Sequence, residues 1–181
     1  MKMIILKIVI VLVAIISLAA VVALFTKNKY TLTRAIVINR PKQEVFSFIK
    51  LNKNQKSYST WLSLDPNTKI KLRGTEDGTP GSILSFVSKD KKAGTGEWET
   101  TKVLEGERVE FELRFLEPFT FVANGHFSTE AVSTEQTRIT WVYHSGMDWP
   151  MNFMLLFLDM DKIVGNDIQT SLVSLKNNLE N

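Results

Sequence analysis

The stretch Val109-Glu110-Phe111-Glu112-Leu113-Arg114-Phe115 decides the fold, because apolar and charged residues alternate strictly along it. Successive side chains of a β-strand point to opposite faces, so this alternation predicts a strand with one buried face. The same parity continues in Phe119–Phe127 after the Glu117-Pro118 break, and in Ile139–Tyr143 after a polar turn. Three such segments in a row predict an antiparallel sheet that buries one of its faces.

Shorter strand candidates precede these three segments. Lys69–Arg73, Ile83–Ser88 and Gly94–Val103 are separated by loops rich in glycine and polar residues. Such composition is typical of turns between strands. The sheet is therefore predicted to contain several short strands in addition to the three clearest ones.

The region before these strands combines a strand with a short helix. Tyr30–Asn39 alternates like a strand, and Pro41 fits the first turn of a following helix. Val45 and Phe46 belong to the apolar stripe of that helix, which is predicted to end near the polar run Asn52–Asn54.

The C-terminal part predicts one long helix from Pro150 to Leu179. Apolar residues recur every three or four positions from Phe153 onwards, which places them on one helical face. The order strand, helix, run of strands, long helix predicts an α+β fold. In it, the long C-terminal helix covers one side of the antiparallel sheet.

The N-terminal segment predicts a single transmembrane helix. Ile8–Phe25 is apolar except for Ser17, and such a run can cross a bilayer core of roughly 30 Å. We therefore divide the chain into an anchor, residues 1–29, and a folded domain, residues 30–181. A cleavable signal peptide is the alternative, with Ala19 or Ala23 before the cleavage site. The side of the membrane on which the domain lies stays open, because lysines flank both ends of the run.

Charge is concentrated beside this apolar run. Lys2, Lys7, Lys27 and Lys29 flank it, and removing these four positive charges from the formal net charge of +3 leaves −1 for the remainder. A near-neutral domain does not support nucleic-acid binding. The chain contains no cysteine, which excludes disulfide scaffolds, thiolate nucleophiles and cysteine-ligated metals.

The order of several short motifs resembles one known superfamily. Between Tyr30 and Leu179 the chain is similar to the START-like (SRPBCC) superfamily with the helix-grip fold, in its polyketide cyclase/dehydrase and lipid-transport branch. The residues that carry the resemblance are Arg34–Pro41 with Val45 and Phe46, Trp61, Asp65-Pro66, Gly94–Gly96, Glu107–Val109, Asp159–Lys162, Gly165, Leu172 and Leu175-Lys176. The resemblance implies a curved antiparallel sheet wrapped around the long C-terminal helix, with a cavity between the two. It implies no single chemistry, since members include carriers, binding modules and a minority of enzymes.

Aromatic residues on the predicted buried face are the candidate ligand-binding residues. The run Phe153–Leu158 is apolar on all sides, which does not fit a half-exposed surface helix. Flat aromatic and flexible methionine side chains suit an adaptable apolar pocket, although they also serve as ordinary core packing. The candidate set is Trp61, Phe86, Trp98, Phe111, Phe121, Trp141, Tyr143, Phe153, Met154 and Phe157.

The sequence thus predicts a membrane-anchored binding or carrier domain for a lipid, quinone or polyketide-like molecule. Trp61, Phe153 and Phe157 would gate the cavity, and the run Phe153–Leu158 could instead rest on the membrane beside the anchor. One alternative is a cyclase or dehydratase, for which Tyr143 or Glu97 would be the first acid or base to consider. Another is an interaction module with a filled core and no ligand.

Other polar residues do not assemble into a catalytic or metal site in the sequence. His126 and His144 fall on the strand parity opposite the apolar face, so we expect both outside the cavity. No further ligands have metal-binding spacing around them. Asp159 and Asp161 point to different sides of a helix and are read as solvated charges. No catalytic residue, metal or cofactor is therefore assigned.

Overall fold

The computed structural model describes residues 2–181 and shows an α+β helix-grip architecture. Its elements are α1 Lys2–Phe25, β1 Lys29–Ile38, α2 Lys42–Ile49, a 3₁₀ helix Asn52–Asn54, α3 Gln55–Tyr58, α4 Thr60–Ser63, β2 Lys69–Gly74, β3 Ser82–Val87, β4 Thr95–Leu104, β5 Arg108–Glu117, β6 Phe121–Ser133, β7 Gln136–Gly146, a second 3₁₀ helix Met151–Leu156 and α5 Met160–Glu180. The predicted α+β fold, with an antiparallel sheet, a long C-terminal helix and an apolar N-terminal helix, is confirmed.

All seven strands form one sheet in the order β1-β7-β6-β5-β4-β3-β2. Every pair of consecutive strands from β2 to β7 is an antiparallel hairpin. Strand β1, from the start of the chain, lies beside β7. This order follows from the sequence, because short turns connect consecutive strands while α2, α3 and α4 separate β1 from the rest.

The chain forms two compact units. The N-terminal unit contains residues 2–30 and Gly146–Met160, and the sheet unit contains Thr31–Ser145 and Asp161–Asn181. The predicted boundary between anchor and domain at residue 29 stays a prediction, because the N-terminal unit also includes Gly146–Met160 from the C-terminal part of the chain.

The alternation of the strands places the core of the sheet unit on one face, which we call the inner face. Along β5 the buried residues are every second one from Val109, whereas the intervening charged residues are half-buried. Helix α5 contributes a buried stripe at its own period of three to four residues. Its members are Gly165, Ile168, Ser171, Leu172, Leu175 and Leu179.

The prediction of one uninterrupted helix from Pro150 to Leu179 is wrong. Met151–Leu156 forms a 3₁₀ helix, and α5 begins only at Met160. Pro150 removes a backbone donor at the start of the segment, and Asp161 lies in the first turn of α5, where an acidic side chain favours a helix start. The predicted helical face is therefore correct from Ile168 onwards and does not extend to Phe153.

Candidate functional site

Four aromatic side chains on the inner face form a closed cluster in the sheet unit. Trp98, Phe111, Phe127 and Trp141 come from β4, β5, β6 and β7, and each is at most 5% exposed. Trp98 stacks on Phe111 with ring centroids 3.9 Å apart, and Phe127 contacts Trp141 at 4.5 Å. The cluster forms because the register of the four strands brings inner-facing positions of similar height together. We call these four residues the aromatic cluster.

Two glycines make room for aromatic rings on the inner face. A Cβ added to Gly125 would lie 2.7 Å from the Phe111 ring, and one added to Gly96 would lie 2.6 Å from the Phe86 ring. Real Cβ atoms do not approach other atoms so closely, so these rings lie directly over the strand backbone. In the structure, Gly96 serves aromatic packing.

Trp61 covers one edge of the aromatic cluster. Its ring lies 6.1 Å from that of Trp141 in an edge-to-face arrangement, and its side chain is only half-buried. The short helix α4 that carries it is held to α5, because the Thr60 N–H donates to Ser171 Oγ at 2.9 Å. The Thr60 hydroxyl also donates to the Asp167 carbonyl oxygen at 3.1 Å. Trp61 is therefore the member of the predicted gate that the structure places beside the buried aromatic residues.

One buried donor in the cluster lacks a partner. Among the described residues, nothing accepts a hydrogen bond from the indole Nε1–H of Trp141, which is 1% exposed. A buried donor without an acceptor costs roughly 1–3 kcal/mol, and such groups in native proteins call for an explanation. The hydroxyl of Tyr58 is also buried without a partner, and this burial raises its pKa. Of these two buried polar groups, the indole N–H of Trp141 is the one that lies in the aromatic cluster.

A second row of aromatic residues leads outward from the interior. Phe86 is 4% exposed and lies 6.2 Å from Phe115, and Phe115 stacks on Phe121 at 4.3 Å. Phe115 is 9% exposed and Phe121 is 38% exposed. Tyr143, which also belongs to the candidate set, is buried on β7. The sheet unit thus contains seven of the ten candidate residues, all on or beside the inner face.

The remaining three candidates, Phe153, Met154 and Phe157, belong to the N-terminal unit. Phe153 lies 6.4 Å from Phe157, whose side chain is 79% exposed. The sequence placed all three on the helix that covers the sheet. Because that helix begins only at Met160, the structure does not bring them together with Trp61 in one unit.

Within the N-terminal unit, the segment Gly146–Met160 is bonded to the end of α1. The side-chain amide of Asn152 donates to the carbonyl oxygens of Ala23 at 2.8 Å and Thr26 at 2.9 Å. The indole of Trp149 donates to the Ala20 carbonyl oxygen at 3.1 Å. The last four carbonyl groups of a helix have no partner within it, and Asn152 supplies a donor to one of them, that of Ala23. The sequence contains no signal for this capping by residues more than a hundred positions away.

A groove of about 470 Å³ lies in the same unit. Phe25, Leu155, Leu158 and Met160 give it apolar walls, and Lys27 and Lys29 also line it. The groove therefore combines apolar surface with positive charge at the residues that immediately follow the apolar run.

The outer face of the sheet is polar. His144 is exposed and His126 half-buried there, which confirms the predicted parity of both histidines. Arg114 pairs with Glu97 at 3.2 Å and with Glu99 at 2.8 Å. Glu97 therefore faces away from the inner face and is not placed to act on a ligand there. Within residues 2–181, no group of three or more His, Asp or Glu side chains could hold a metal ion.

His126 makes the stability of the folded chain depend on pH. Partial burial and then the positive charge of Arg108 lower its pKa from the usual value of about 6.5. Because the His126 imidazole is a weaker base in the folded chain, the unfolded chain binds a proton there more readily. We therefore expect the free energy of unfolding to fall as pH drops below about 6.5. Denaturation at several pH values should show a shallower fall for His126→Gln than for the parent chain. Identical pH profiles for the two proteins would contradict this role.

The seven-stranded sheet with its apolar inner face and the long C-terminal helix make this chain a helix-grip protein. It belongs to the polyketide cyclase/dehydrase and lipid transport family, whose sequence model matches residues 29–180. No curated protein sequence matches the chain.

Solved structures with the same fold are distant in sequence. One is the Aha1 dimer from Colwellia psychrerythraea, with 17% identity, a TM-score of 0.58, and coverage of 83% of this chain and 96% of the other. Another is the Zhui aromatase/cyclase from a Streptomyces species, with 11% identity, a TM-score of 0.57, and coverage of 84% and 94%. A third is truncated norcoclaurine synthase from Thalictrum flavum, with 8% identity, a TM-score of 0.59, and coverage of 82% and 91%. At these identities the similarity concerns the fold alone.

Proposed function

We propose that this protein is a membrane-anchored domain that binds a hydrophobic small molecule, such as a lipid, quinone or polyketide-like compound, on its inner face. The observation that carries the proposal is the unpartnered indole N–H of Trp141 inside an otherwise apolar aromatic cluster. Ligand sites are mostly apolar, with a few polar groups that fix orientation. A ligand with one acceptor oxygen matches that combination.

The cluster is closed by ring-to-ring contacts, so a ligand has to displace a side chain to enter. Trp61 is the candidate, because it is half-buried at the edge of Trp141 on a helix of only four residues. The gate in this proposal is therefore Trp61 alone, and Phe153 and Phe157 have another role. The description of the chain's family, polyketide cyclase/dehydrase and lipid transport, supports a lipid or polyketide-like ligand.

The membrane part of the proposal rests on the N-terminal unit. Within residues 2–181, α1 is the one helix that is long and apolar enough to cross a bilayer. The segment bonded to its end exposes apolar side chains: Trp149 is 57% exposed, Met151 53% and Phe157 79%. Tryptophan is enriched where a membrane meets water, so this segment suits the interface beside the anchor. Exposed Phe157 is then accounted for by contact with lipid.

The first test is native mass spectrometry of the full chain purified in detergent. We expect a co-purifying hydrophobic molecule that is released on denaturation. A chain that carries no such molecule, and that also fails to bind any apolar probe saturably, would overturn the proposal and favour a ligand-free interaction module.

Trp141→Phe tests the proposed role of the indole N–H. The substitution keeps an aromatic ring and removes the donor. We expect affinity for a long-chain ketone probe to fall about tenfold, which corresponds to one lost hydrogen bond, while affinity for the matching alkane changes much less. Titrations of both probes against the parent and the variant measure the difference. Equal losses for the two probes would assign Trp141 to packing only.

A further inference from the structure

The two ends of the sheet unit differ in the polarity of their turns. The β2–β3, β4–β5 and β6–β7 turns lie at one end and contain no large apolar residue, and the exposed apolar residues beside the last two are single ones, Leu104 and Val132. The β5–β6 turn lies at the opposite end and is flanked by exposed apolar side chains. We call these residues the apolar tip; they are Leu116, 45% exposed, Phe119, 76%, Phe121, 38%, and Val122, 47%. Contiguous exposed apolar residues of this kind mark an interaction surface.

Positive charge adjoins the apolar tip. The β3–β4 turn reaches the same end, and a Cβ added to its Gly94 would overlap the carbonyl oxygen of Glu117. The two turns are therefore in close contact. Lys89 and Lys91 of the β3–β4 turn are exposed, while Lys92 pairs with Asp167 at 2.8 Å. Of the acids in the two turns, Asp90 accepts a hydrogen bond from the Lys92 backbone N–H at 2.8 Å within its own turn, and Glu117 is exposed. Exposed apolar side chains next to lysines match an anionic bilayer surface, which offers acyl chains and negative headgroups together.

The chain enters the sheet unit at this same end. The hydroxyl of Thr31 lies 2.8 Å from Nδ1 of His144, near the end of β7, and Ser145 Oγ donates to the Val122 carbonyl oxygen at 3.4 Å. Phe25 ends the apolar run six residues before Thr31, and a chain of that length spans at most about 20 Å. A bilayer that contains the run therefore limits how far Thr31 can lie from its surface.

An aromatic row connects the apolar tip with the interior. Exposure falls from Phe119 at 76% through Phe121 at 38% and Phe115 at 9% to Phe86 at 4%. Phe121 stacks on Phe115, and Phe115 contacts Phe86. Phe119 and Phe121 are therefore the exposed end of an aromatic row that is packed into the interior, which holds the apolar tip in place.

We propose that the apolar tip, together with Lys89 and Lys91, docks onto the anionic surface of the bilayer that holds the anchor. The proposal rests on the proposed function, since it requires α1 in the membrane. It adds a second contact with the bilayer and an orientation in which the β5–β6 end of the sheet faces lipid.

Site-specific labelling tests the docking, because the chain contains no cysteine. Phe119→Cys and Val132→Cys are each prepared in the full chain, labelled with an environment-sensitive fluorophore and reconstituted into liposomes that contain phosphatidylglycerol. Val132 is the matched control, since it is 48% exposed beside the polar β6–β7 turn. We expect blue-shifted emission and quenching by brominated lipid at position 119 and neither at position 132. Circular dichroism checks the fold of both variants.

Flotation of the same samples separates the two possible failures. A chain that floats with the liposomes, but whose label at position 119 is no more quenched than that at 132, refutes the docking and leaves the anchor intact. A chain that does not float refutes the anchor, and the docking with it.

Charge substitution provides the second arm. We expect Lys89→Gln with Lys91→Gln to reduce the quenching at position 119 in anionic liposomes and to leave it unchanged in neutral ones. Lys53→Gln with Lys102→Gln is the control, because both lysines are exposed toward the other end of the sheet. If both pairs of substitutions reduce the quenching at position 119 equally, the net charge of the chain controls the quenching and the position of the lysines does not. That result would contradict a docking surface at the tip.

Discussion

Replacing Phe111 with Ala is expected to lower the free energy of unfolding by about 3–5 kcal/mol. Its side chain is 1% exposed, stacks on Trp98 at 3.9 Å and covers Gly125 closely. Truncation removes the ring from contact with Trp98, Phe127 and Trp141, and the strand backbone beneath it cannot move to fill the space. Chemical denaturation of the full chain in detergent, followed by far-UV circular dichroism, measures the loss.

Phe157→Ala is the control, because this side chain is 79% exposed. We expect it to change the free energy of unfolding by less than about 0.5 kcal/mol. Had Phe157 covered the sheet as the sequence predicted, its truncation would cost as much as that of a core residue. A small loss for Phe111→Ala would indicate that the inner face is loosely packed around a standing cavity and would contradict the closed cluster.

The strands were predictable because their signal is local. Alternation along Val109–Phe115 needs no information from elsewhere in the chain, and the structure reproduces its parity. The same parity places His126 and His144 on the outer face. Inner-facing residues at matching positions of neighbouring strands have to meet once the register is set, so most of the aromatic cluster follows from the sequence.

The break before α5 was missed because a helical period cannot distinguish one long helix from a 3₁₀ helix followed by a shorter α-helix. Phe153 and Phe157 fit the period of the residues that follow, although they lie outside α5. A signal was nevertheless present. Asp159 stands directly before the first residue of α5 and Asp161 lies in its first turn, a pattern typical of a helix start.

Long-range polar contacts were not predictable from the sequence. Asn52 lies in a polar run that marks a helix end in the sequence, yet its side chain is 2% exposed and donates to Ser82 Oγ at 3.0 Å and to Thr100 Oγ1 at 3.1 Å. The unpartnered N–H of Trp141 belongs to the same category. Whether a buried donor has an acceptor depends on atoms from several strands, and no spacing in the chain encodes it.

The largest effect on localisation is expected from two charges in the middle of α1. Leu12→Arg with Ile15→Arg places two guanidinium groups near the centre of a 24-residue apolar helix. Each arginine at a bilayer centre costs about 2.5–3.5 kcal/mol on insertion scales, so the pair costs about 5–7 kcal/mol. We expect the parent chain to resist extraction from membranes by alkaline carbonate and the double variant to appear in the soluble or aggregated fraction.

Two comparisons make this result specific to the anchor. Val132→Arg with Val173→Arg adds the same charge at exposed positions of the sheet unit, and this variant should stay in the membrane fraction like the parent. The intact mass of the membrane-bound parent then distinguishes an anchor from a signal peptide. A retained anchor leaves residues 2–25 on the chain, whereas cleavage removes everything up to Ala19 or Ala23. A cleaved chain that is extracted freely would refute the anchor, and the inner face would then have to take its ligand from water.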